Sequence, residues 1–462
     1  MSIYGSLFDA GTSALILALG GNMAIGLTTL GLRSRRPSAP RALLLPDRLS
    51  RESAFISVHL ACYDEPPAMV LETLDALAAM HGPAFEVIVI DNNTRDPARW
   101  QPVEKHCATL GPQFRFYHCV GVKGAKAGAL NLALERANPR TTHVAVVDAD
   151  YQVEPNFLAQ AIDTICARQV DFVQFPQAYR HHSDCTAVAL ELGDYFQSIA
   201  SVADSTDSML LTGTLSVISL EWLHHAGGWP VDSITEDAAL GLALWRMGAR
   251  GSFIDRVAGR GLLPVDLAGL RLQRDRWTAG NVQTLIGGMR QGLWSDRRRG
   301  RQSVIAQLTA WPAFHALPMA VLVFSLAAIL GNLPGEWAAT ANFAAATSLL
   351  LLIAAWVEAV IIKRTPQILP VRLALLWTSS LAWLPALWGR RLAFQRTPKD
   401  RDGRCADEPR RPAPEWAAVV ALAMVPLWLA MGAVLPAVTA FCLALPLAFA
   451  AAVDGMLQRN AA

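Results

Sequence analysis

Charged residues are scarce in this sequence. Only 17% of its 462 residues are Asp, Glu, Lys or Arg, whereas 53% are hydrophobic, and the mean hydropathy is +0.29. A soluble protein of this length carries more charge, so we expect membrane-spanning segments. The formal net charge of +2 gives no overall positive field, which argues against nucleic acid as a partner.

Cysteine is also sparse, and its seven residues are scattered along the chain. The number is odd and no CxxC pair occurs. The sequence therefore supports neither a disulfide framework nor a zinc site, and reduced thiols fit a cytosolic domain.

Basic residues are missing from the first 11 positions, ahead of an apolar run from Thr12 to about Leu32. The run is long enough to span a bilayer, and six arginines follow it between Arg33 and Arg51. A signal peptide has its positive charge before the apolar run. The order found here predicts a transmembrane anchor and basic linker over residues 1–50, with the N-terminus outside and the arginines in the cytoplasm.

Residues 51–301 have the composition of a soluble domain, which we expect in the cytoplasm. Short apolar runs predict strands at 55–61, 85–90 and 143–147, and helical spacing of apolar residues predicts a helix over 66–80. This alternation predicts an α/β fold with a mostly parallel sheet that helices cover on both faces. Ligands of such sheets bind beyond the carboxyl ends of the strands.

Acidic clusters follow all three predicted strands: Tyr63-Asp64-Glu65, Asp91-Asn92-Asn93 and Asp148-Ala149-Asp150. Carboxylates crowded at one edge repel one another unless a cation lies between them. Mg²⁺ or Mn²⁺ suits such oxygen ligands and usually keeps substrate phosphate oxygens in its shell. We expect such a metal with a phosphorylated ligand, although a solvated turn would also explain the last cluster on its own.

A segment of small residues from Lys123 to Asn131 lies between the second and third clusters. Small residues let a backbone approach a ligand closely, and Lys126 is suited to meet a phosphate. The segment is not a P-loop, because the GxxxxGK[ST] spacing is missing. The start of an amphipathic helix is the alternative interpretation.

Asp237 follows Thr235-Glu236 and precedes the pentapeptide Gln273-Arg274-Asp275-Arg276-Trp277. A carboxylate removes a proton from a hydroxyl, arginines offset charge on a leaving group, and an indole offers a flat apolar face to a sugar ring. These groups suit attack by a hydroxyl beside a departing pyrophosphate. Each also has a simpler explanation, since Thr-Glu-Asp suits a helix N-terminus and Arg-Trp suits ordinary packing.

Taken together and in order, the motifs resemble the membrane-embedded family 2 glycosyltransferases, such as bacterial cellulose, chitin and hyaluronan synthases. The similarity covers about 50–280, with apolar segments on both sides. The matching motifs are Tyr63-Asp64-Glu65, Asp91, Lys126-Ala127-Gly128, Asp148-Ala149-Asp150, Thr212-Gly213-Thr214, Gly227-Gly228-Trp229, Thr235-Glu236-Asp237 and Gln273-Arg274-Asp275-Arg276-Trp277.

The resemblance implies a GT-A-like fold and a role for each matching residue. Tyr63, Glu65 and Asp91 would bind uridine, and Lys126, Asp148 and Arg276 would contact the diphosphate. Asp150 with Asp148 would bind Mg²⁺ or Mn²⁺, and Thr212, Gly213 and Thr214 would contact the donor and acceptor sugars. Gln273, Arg274 and Trp277 would bind the acceptor, and Asp237 would be the general base. Asp64 stands where the family usually has Asn, and Asn92 where many members have Asp or Gly, which leaves the nucleotide open.

Residues 302–462 form the third predicted region, made of interface helices and transmembrane segments. Apolar runs at about 316–331 and 338–357 predict two spans, and the uncharged 416–453 predicts two more with a turn near 432–436. If the uncharged 373–389 also crossed, the eight Lys and Arg between 390 and 411 would lie outside, against the positive-inside rule. We expect 373–389 to lie in the interface or to re-enter, which gives five spans with the anchor.

The resemblance implies a multi-pass enzyme of the inner (plasma) membrane with a cytoplasmic catalytic domain. It would transfer a hexose with inversion from a UDP-sugar to a growing β-glycan, processively and with export, for which an accessory subunit is a further expected partner. A transferase that adds one sugar to a lipid acceptor is the alternative. A nucleotide-binding transporter gives no reason for Asp237, and a nucleotidyl transferase has no need of Trp277.

Overall fold

The computed structural model describes residues 3–33, 53–180, 186–293, 295, 299–333, 335–389, 397 and 414–460. The arginines at 35–51 and the basic stretch at 390–411, apart from Thr397, lie outside these residues. The chain begins with a long helix, α1 (Ile3–Arg33). An α/β region follows it, and a set of apolar helices forms the C-terminal third.

The α/β region alternates strands and helices. Its strands are β1 (Phe55–Cys62), β2 (Ala84–Asn92), β3 (Phe114–Cys119), β4 (His143–Val146), β5 (Gln152–Val153), β6 (Phe172–Gln174), β7 (Tyr179–Arg180), β8 (Ser216–Ser219), β9 (Gly251–Phe253) and β10 (Gly259–Leu262). Its helices are α2 (Pro67–Ala78), α3 (Pro97–Leu110), α4 (Ala125–Glu135), α5 (Phe157–Arg168), α6 (Thr186–Tyr195), α7 (Ser201–Ser205), α8 (Leu220–His225), α9 (Glu236–Met247) and α10 (Leu267–Arg290).

A seven-stranded mixed sheet in the order β3-β2-β1-β4-β8-β6-β9 is the centre of this region. Strands β3, β2, β1 and β4 run parallel, with Phe55 opposite Ala84 and Ile56 opposite His143. Strand β8 is antiparallel to both β4 and β6, and β9 is parallel to β6. The prediction of a mostly parallel sheet is confirmed, and the three predicted strands are β1, β2 and β4.

Helices cover both faces of the sheet. On one face, α2, α3 and α5 bury apolar side chains such as Leu74, Val103 and Ile162 against the strands. On the other face, α4, α6, α9 and α10 contribute Leu130, Leu192 and further residues to a second core. The central strands are apolar on both sides because both sides are buried. The expected double cover is therefore confirmed, and the carboxyl ends of β1, β2 and β4 meet at one open edge.

The C-terminal helices are apolar. They are α11 (Arg301–Leu308), α12 (Ala316–Leu330), α13 (Trp337–Val357), α14 (Leu369–Ala374), α15 (Leu376–Leu381), α16 (Leu384–Leu387), α17 (Glu415–Ala430), α18 (Val434–Ala444) and α19 (Pro446–Asn460). In the described part of the chain, three helical stretches are long and apolar enough to cross a membrane: Gly11–Arg33, Trp337–Ile362 and Val434–Asn460. The described helices α12 and α17 are shorter, and Pro366–Ala374 with Leu376–Leu387 is a pair bent by 61°.

An ion-pair cluster joins the apolar helices to the α/β region. Asp194 on α6 and Glu358 after α13 each pair with Arg33, Lys363 and Arg372. Arg33 ends α1 and Arg372 lies on α14. The C-terminal ends of α1 and α13 therefore both lie against the α/β region.

Candidate active site

A cleft of about 390 Å³ opens at the carboxyl ends of β1, β2 and β4. Tyr63 and Glu65 follow β1, Asn93 follows β2, and Asp148 and Asp150 follow β4, and all of them line the cleft. This is the position at which parallel sheets bind ligands. Eleven of the fourteen residues that the sequence predicted for the site line it: Tyr63, Glu65, Lys126, Asp148, Asp150, Thr212, Gly213, Asp237, Gln273, Arg276 and Trp277.

Lys126 supplies a half-buried positive charge in the first turn of α4. Gly124 precedes this helix with φ +82°, and a Cβ on Gly128 would collide with the carbonyl oxygen of Lys123. The ammonium bonds Asp148 and lies 3.7 Å from Glu236. Burial alone would lower the pKa of Lys126, but Asp148 and Glu236 raise it above its usual value. Lys126 is therefore a fixed cation, as a phosphate site requires.

Asp237 lies in the first turn of α9, against the loop that follows Leu211. A Cβ on Gly213, which has φ +96°, would lie 3.3 Å from Asp237 Oδ2, so the glycine permits this close approach. Burial and the neighbouring Glu236 raise the pKa of Asp237 to about 7, while Lys126 and Arg276 oppose that rise. A carboxylate with a pKa near neutrality suits general base catalysis.

Helix α10 presents part of the pentapeptide to the cleft. Gln273, Arg276 and Trp277 are spaced three and four residues apart, which places them on one face of the helix, and all three line the cleft. The Tyr179 hydroxyl donates a hydrogen bond to Gln273 Oε1 at 3.1 Å. This face accordingly offers one guanidinium and one indole beside Asp237.

Arg274 lies on another face of α10 and is 1% exposed. It pairs with Glu191, and its guanidinium lies over the rings of Trp277 and Trp311, at 4.5 Å and 4.7 Å from their centroids. The structure thus places Arg274, which was predicted to bind the acceptor, behind the cleft.

Asp91 and Thr214 are the other predicted residues that do not line the cleft. Thr94 Oγ1 donates to the Asp91 carboxylate at 2.7 Å, and His118 Nδ1 lies 2.8 Å from its other oxygen. Thr214 Oγ1 accepts a hydrogen bond from the backbone N–H of Asp148 at 3.0 Å. Thr214 therefore positions Asp148, and Asp91 is held by its protein neighbours.

Asp148 and Asp150, the aspartates after β4, are the candidate ligands for a divalent cation. Asp150 Oδ2 accepts a hydrogen bond from the N–H of Leu262 at 3.0 Å, which fixes its orientation at the cleft. Within the described part of the chain, no three His, Cys, Asp or Glu side chains converge on one point. Two carboxylates fit Mg²⁺ or Mn²⁺ that takes its other ligands from substrate phosphates and water.

Several cleft residues escaped the sequence reasoning. Glu236 contacts Lys126, Gln177 donates to the carbonyl of Thr212, and Thr397 lines the cleft from a segment distant in sequence. Glu236 stood inside a motif already singled out, so its charge was visible there. Gln177 carries no sequence signal, because only the fold brings it to this edge. Thr397 belongs to the segment 394–399, which loosely resembles a cytosolic segment of the glycosyltransferase family that can lie over the mouth of the active site.

Comparison with known proteins identifies the family of the catalytic domain. The model of glycosyl transferase family 2 matches residues 57–224, and that of glycosyl transferase family group 2 matches residues 143–359. The chain carries a family 2 glycosyltransferase domain. The matched ranges contain the cleft residues from Tyr63 to Trp277.

Two curated relatives illustrate the similarity. The catalytic subunit of the UDP-forming cellulose synthase of Xanthomonas axonopodis pv. citri is 27% identical over 238 residues, which are 49% of this chain and 31% of that protein. Glucomannan 4-beta-mannosyltransferase 7 of Arabidopsis thaliana is 27% identical over 241 residues, 50% of this chain and 43% of the relative. The chain thus spans less than half the length of these two relatives.

A solved structure supports the fold. The mannosyltransferase PcManGT from Pyrobaculum calidifontis, in complex with GDP-Man and Mn²⁺, superposes with a TM-score of 0.51 at 21% identity. The superposition covers 83% of this chain and 99% of the other. The family 2 glycosyltransferase domain therefore has the GT-A-like fold expected from the sequence.

Proposed function

We propose that this glycosyltransferase transfers a hexose from a UDP-sugar to a glycan hydroxyl, with inversion at the anomeric carbon. The observation that carries the proposal is Asp237, half-buried against Gly213 in the cleft that also contains the Lys126–Asp148 pair. In this mechanism Asp237 takes the proton of the acceptor hydroxyl as its oxygen attacks the anomeric carbon. One displacement inverts that centre, giving a β-linked product from an α-linked donor.

Charge that develops on the departing diphosphate needs cations. Lys126 and Arg276 both line the cleft, and each is suited to bind the diphosphate oxygens. Asp150 and Asp148 would hold Mg²⁺ or Mn²⁺, which supplies further neutralisation of the leaving group. Tyr63 and Glu65, at the end of β1, are proposed to bind the nucleoside.

The acceptor is proposed to bind at Trp277 and Gln273, beside Asp237. The cellulose synthase relative favours a growing β-glycan as acceptor, extended processively and exported across the inner membrane from a cytoplasmic domain, with or without an accessory subunit. A lipid-linked acceptor is the second candidate, and an apolar cavity next to the cleft favours it. Because the structural neighbour holds GDP-Man, a donor panel needs GDP-sugars as well as UDP-sugars.

The decisive variant is Asp237→Asn. We expect its turnover to fall about 100- to 10,000-fold, as on loss of a general base, while affinity for the donor stays within a few-fold because Asp237 is not part of the three acidic clusters that follow the strands. Turnover of purified protein would be followed by release of UDP or GDP, and donor binding by calorimetry. Near-normal turnover would refute the assignment of Asp237, and release from no donor in the panel would refute the proposed reaction.

A further inference from the structure

A second cavity, of about 370 Å³, lies among the apolar helices. It is bounded by α1, the segment 310–315, α13 and the bent helices α14 and α15, and nine leucines contribute to its wall. Its size falls within the range of small-molecule sites. The wall is hydrocarbon over most of its extent, which suits an alkyl chain better than a polar ligand.

This cavity adjoins the catalytic cleft. A small space between them has Asp237 and Trp277 on one side and Tyr195 and Trp311 on the other. Trp277 lines the cleft, whereas Tyr195 and Trp311 line the apolar cavity. The rings of Trp277 and Trp311 are 5.1 Å apart. This distance means that the rings are in contact, so a molecule that reached from the hydrocarbon wall to Asp237 would have to displace one of them.

Ionised side chains of both signs are buried beside the apolar cavity. Three carboxylates are buried there among four cations: Asp194, Glu191 and Glu358 among Arg33, Arg274, Lys363 and Arg372. Arg274 lines the cavity, and its buried Nε and Nη1 atoms have no hydrogen-bond partner among the residues that the structure describes. Unpartnered buried donors are costly, and an anion at this point would satisfy them.

We propose that the apolar cavity binds the hydrocarbon chain of a lipid-linked acceptor whose phosphate lies against Arg274 and whose terminal sugar reaches Trp277. The proposal rests on the proposed glycosyl transfer and names its acceptor class. A glycan chain threaded through the same space would need hydroxyl partners and stacking faces along its length. The leucines of α13, α14 and α15 offer neither, and the aromatic and polar side chains of the wall, among them Trp311, Trp356 and Glu191, make up its smaller part.

The test is photolabelling of the full-length protein in detergent with a polyprenyl phosphate that carries a diazirine on its chain. We expect labelled peptides that contain residues 349–356 or 369–376. The matching polyprenol, which lacks the phosphate, should compete about tenfold less well, since one charge-assisted hydrogen bond is worth that much or more. Labelling confined to other peptides, or equal competition by the polyprenol, would overturn the proposal.

Matched variants on one helix sharpen the test. Ala355 lines the cavity and Ala354 does not, so Ala355→Phe should lower labelling about tenfold by filling the space, whereas Ala354→Phe should not. Leu352→Trp fills the same cavity from the next turn and serves if Ala355→Phe no longer binds the donor. Unchanged labelling in a cavity-filling variant that still binds the donor would contradict the proposal.

Asp237→Asn separates this inference from the proposed chemistry. The variant should bind the lipid probe normally even though it cannot transfer sugar. If the wild-type enzyme released nucleotide from a donor but its cavity took no label, only the lipid proposal would fall. Protection of the same peptides by a soluble β-glucan oligosaccharide, without competition from polyprenyl phosphate, would assign the cavity to a polymer and also overturn it.

Discussion

Asp237 illustrates how neighbours set the chemistry of a single side chain. Its burial and Glu236 raise its pKa to about 7, and only the deprotonated carboxylate accepts a proton. The turnover number should therefore rise with pH up to about 7 and then level, with a loss of about tenfold for each pH unit below it. Steady-state rates between pH 5 and 9 at saturating donor test this expectation. A flat profile would contradict the role of Asp237 as base.

The conservative variant Glu236→Gln tests whether Glu236 raises the pKa of Asp237. Removing the neighbouring negative charge lowers the pKa of Asp237 and should move the rise in turnover to lower pH. Loss of a purely structural contact would lower the rate without moving the profile. The two outcomes are therefore distinguishable in one titration.

Gly213 is required by both its backbone and its neighbour. With φ +96° and Asp237 Oδ2 3.3 Å from the position of a Cβ, Gly213→Ala should displace the base and lower turnover about 100-fold, as small misplacements do. Gly248→Ala is the matched control, because its φ is +100° with open space around the Cβ position. Gly248→Ala should introduce a similar backbone strain at the other end of α9 but leave the turnover unchanged. Equal losses in both variants would show that strain alone is responsible.

Residue roles could be predicted from sequence only where a motif carries them. The motifs brought Lys126, Asp148 and Asp237 together correctly, because each follows a strand or begins a helix at the open edge. The partners of Asp91 and Arg274 were not predictable. His118 comes from β3 and Glu191 from α6, and no spacing in the sequence connects either one to its partner.

Strands and helices could be predicted where their burial requires a recognisable pattern of apolar residues in the sequence. Strands β1, β2 and β4 are apolar on both faces, so each appears in the sequence as a short apolar run that predicts a strand. Strand β3 has a buried residue only at Phe114 and is otherwise half-buried at the edge of the sheet, so its pattern is weak. Strand β8 has four residues and lies in the centre because it pairs antiparallel with β4 and β6. Its place depends on partners that are far away in sequence.

Contacts of the apolar helices with the α/β region bear on the predicted five spans. Helix α13 ends at the Asp194 cluster, and Thr397, beyond the bent pair, lines the catalytic cleft. Both ends of the bent pair therefore lie on the catalytic side, which fits a re-entrant or interfacial segment. Glu415 of α17 pairs with Arg271, and Asp454 of α19 accepts a hydrogen bond from Leu267 N–H at 2.8 Å. The end of α13, the start of α17 and Asp454 of α19 thus all lie against the α/β region, as the predicted topology requires.

Cysteine labelling would test this topology. In a background without native cysteines, Leu333→Cys in the exposed α12–α13 turn should react with a membrane-impermeant maleimide in intact cells. Trp388→Cys, exposed after the bent pair, should react only after the cells are opened. Reaction of Trp388→Cys in intact cells would show that 373–389 crosses the membrane, and the five-span arrangement would then be wrong.

At the scale of the whole molecule, the relatives and the cavity favour different acceptors. The cellulose synthase and glucomannan mannosyltransferase relatives favour a polymer, but the matched chain is less than half of those proteins. Here a leucine-lined cavity adjoins Trp277 and Asp237. A polymer slips past Trp277 after each addition, whereas an acceptor held by its lipid chain cannot advance far. Product length therefore separates the two.

Product sizing provides the last test. Membrane vesicles given a radiolabelled donor should form a product that extracts into organic solvent and carries one or a few sugars, because the lipid chain fixes the distance from the cavity to Asp237. Trp277→Ala should reduce this product about two- to tenfold, since stacking on an aromatic ring contributes about 0.5–1.5 kcal/mol. Asp237→Asn should give none and serves as the blank. A long glycan that stays in the aqueous fraction and is cut by a specific glycanase would instead establish the processive polymer, because a tethered acceptor cannot yield it.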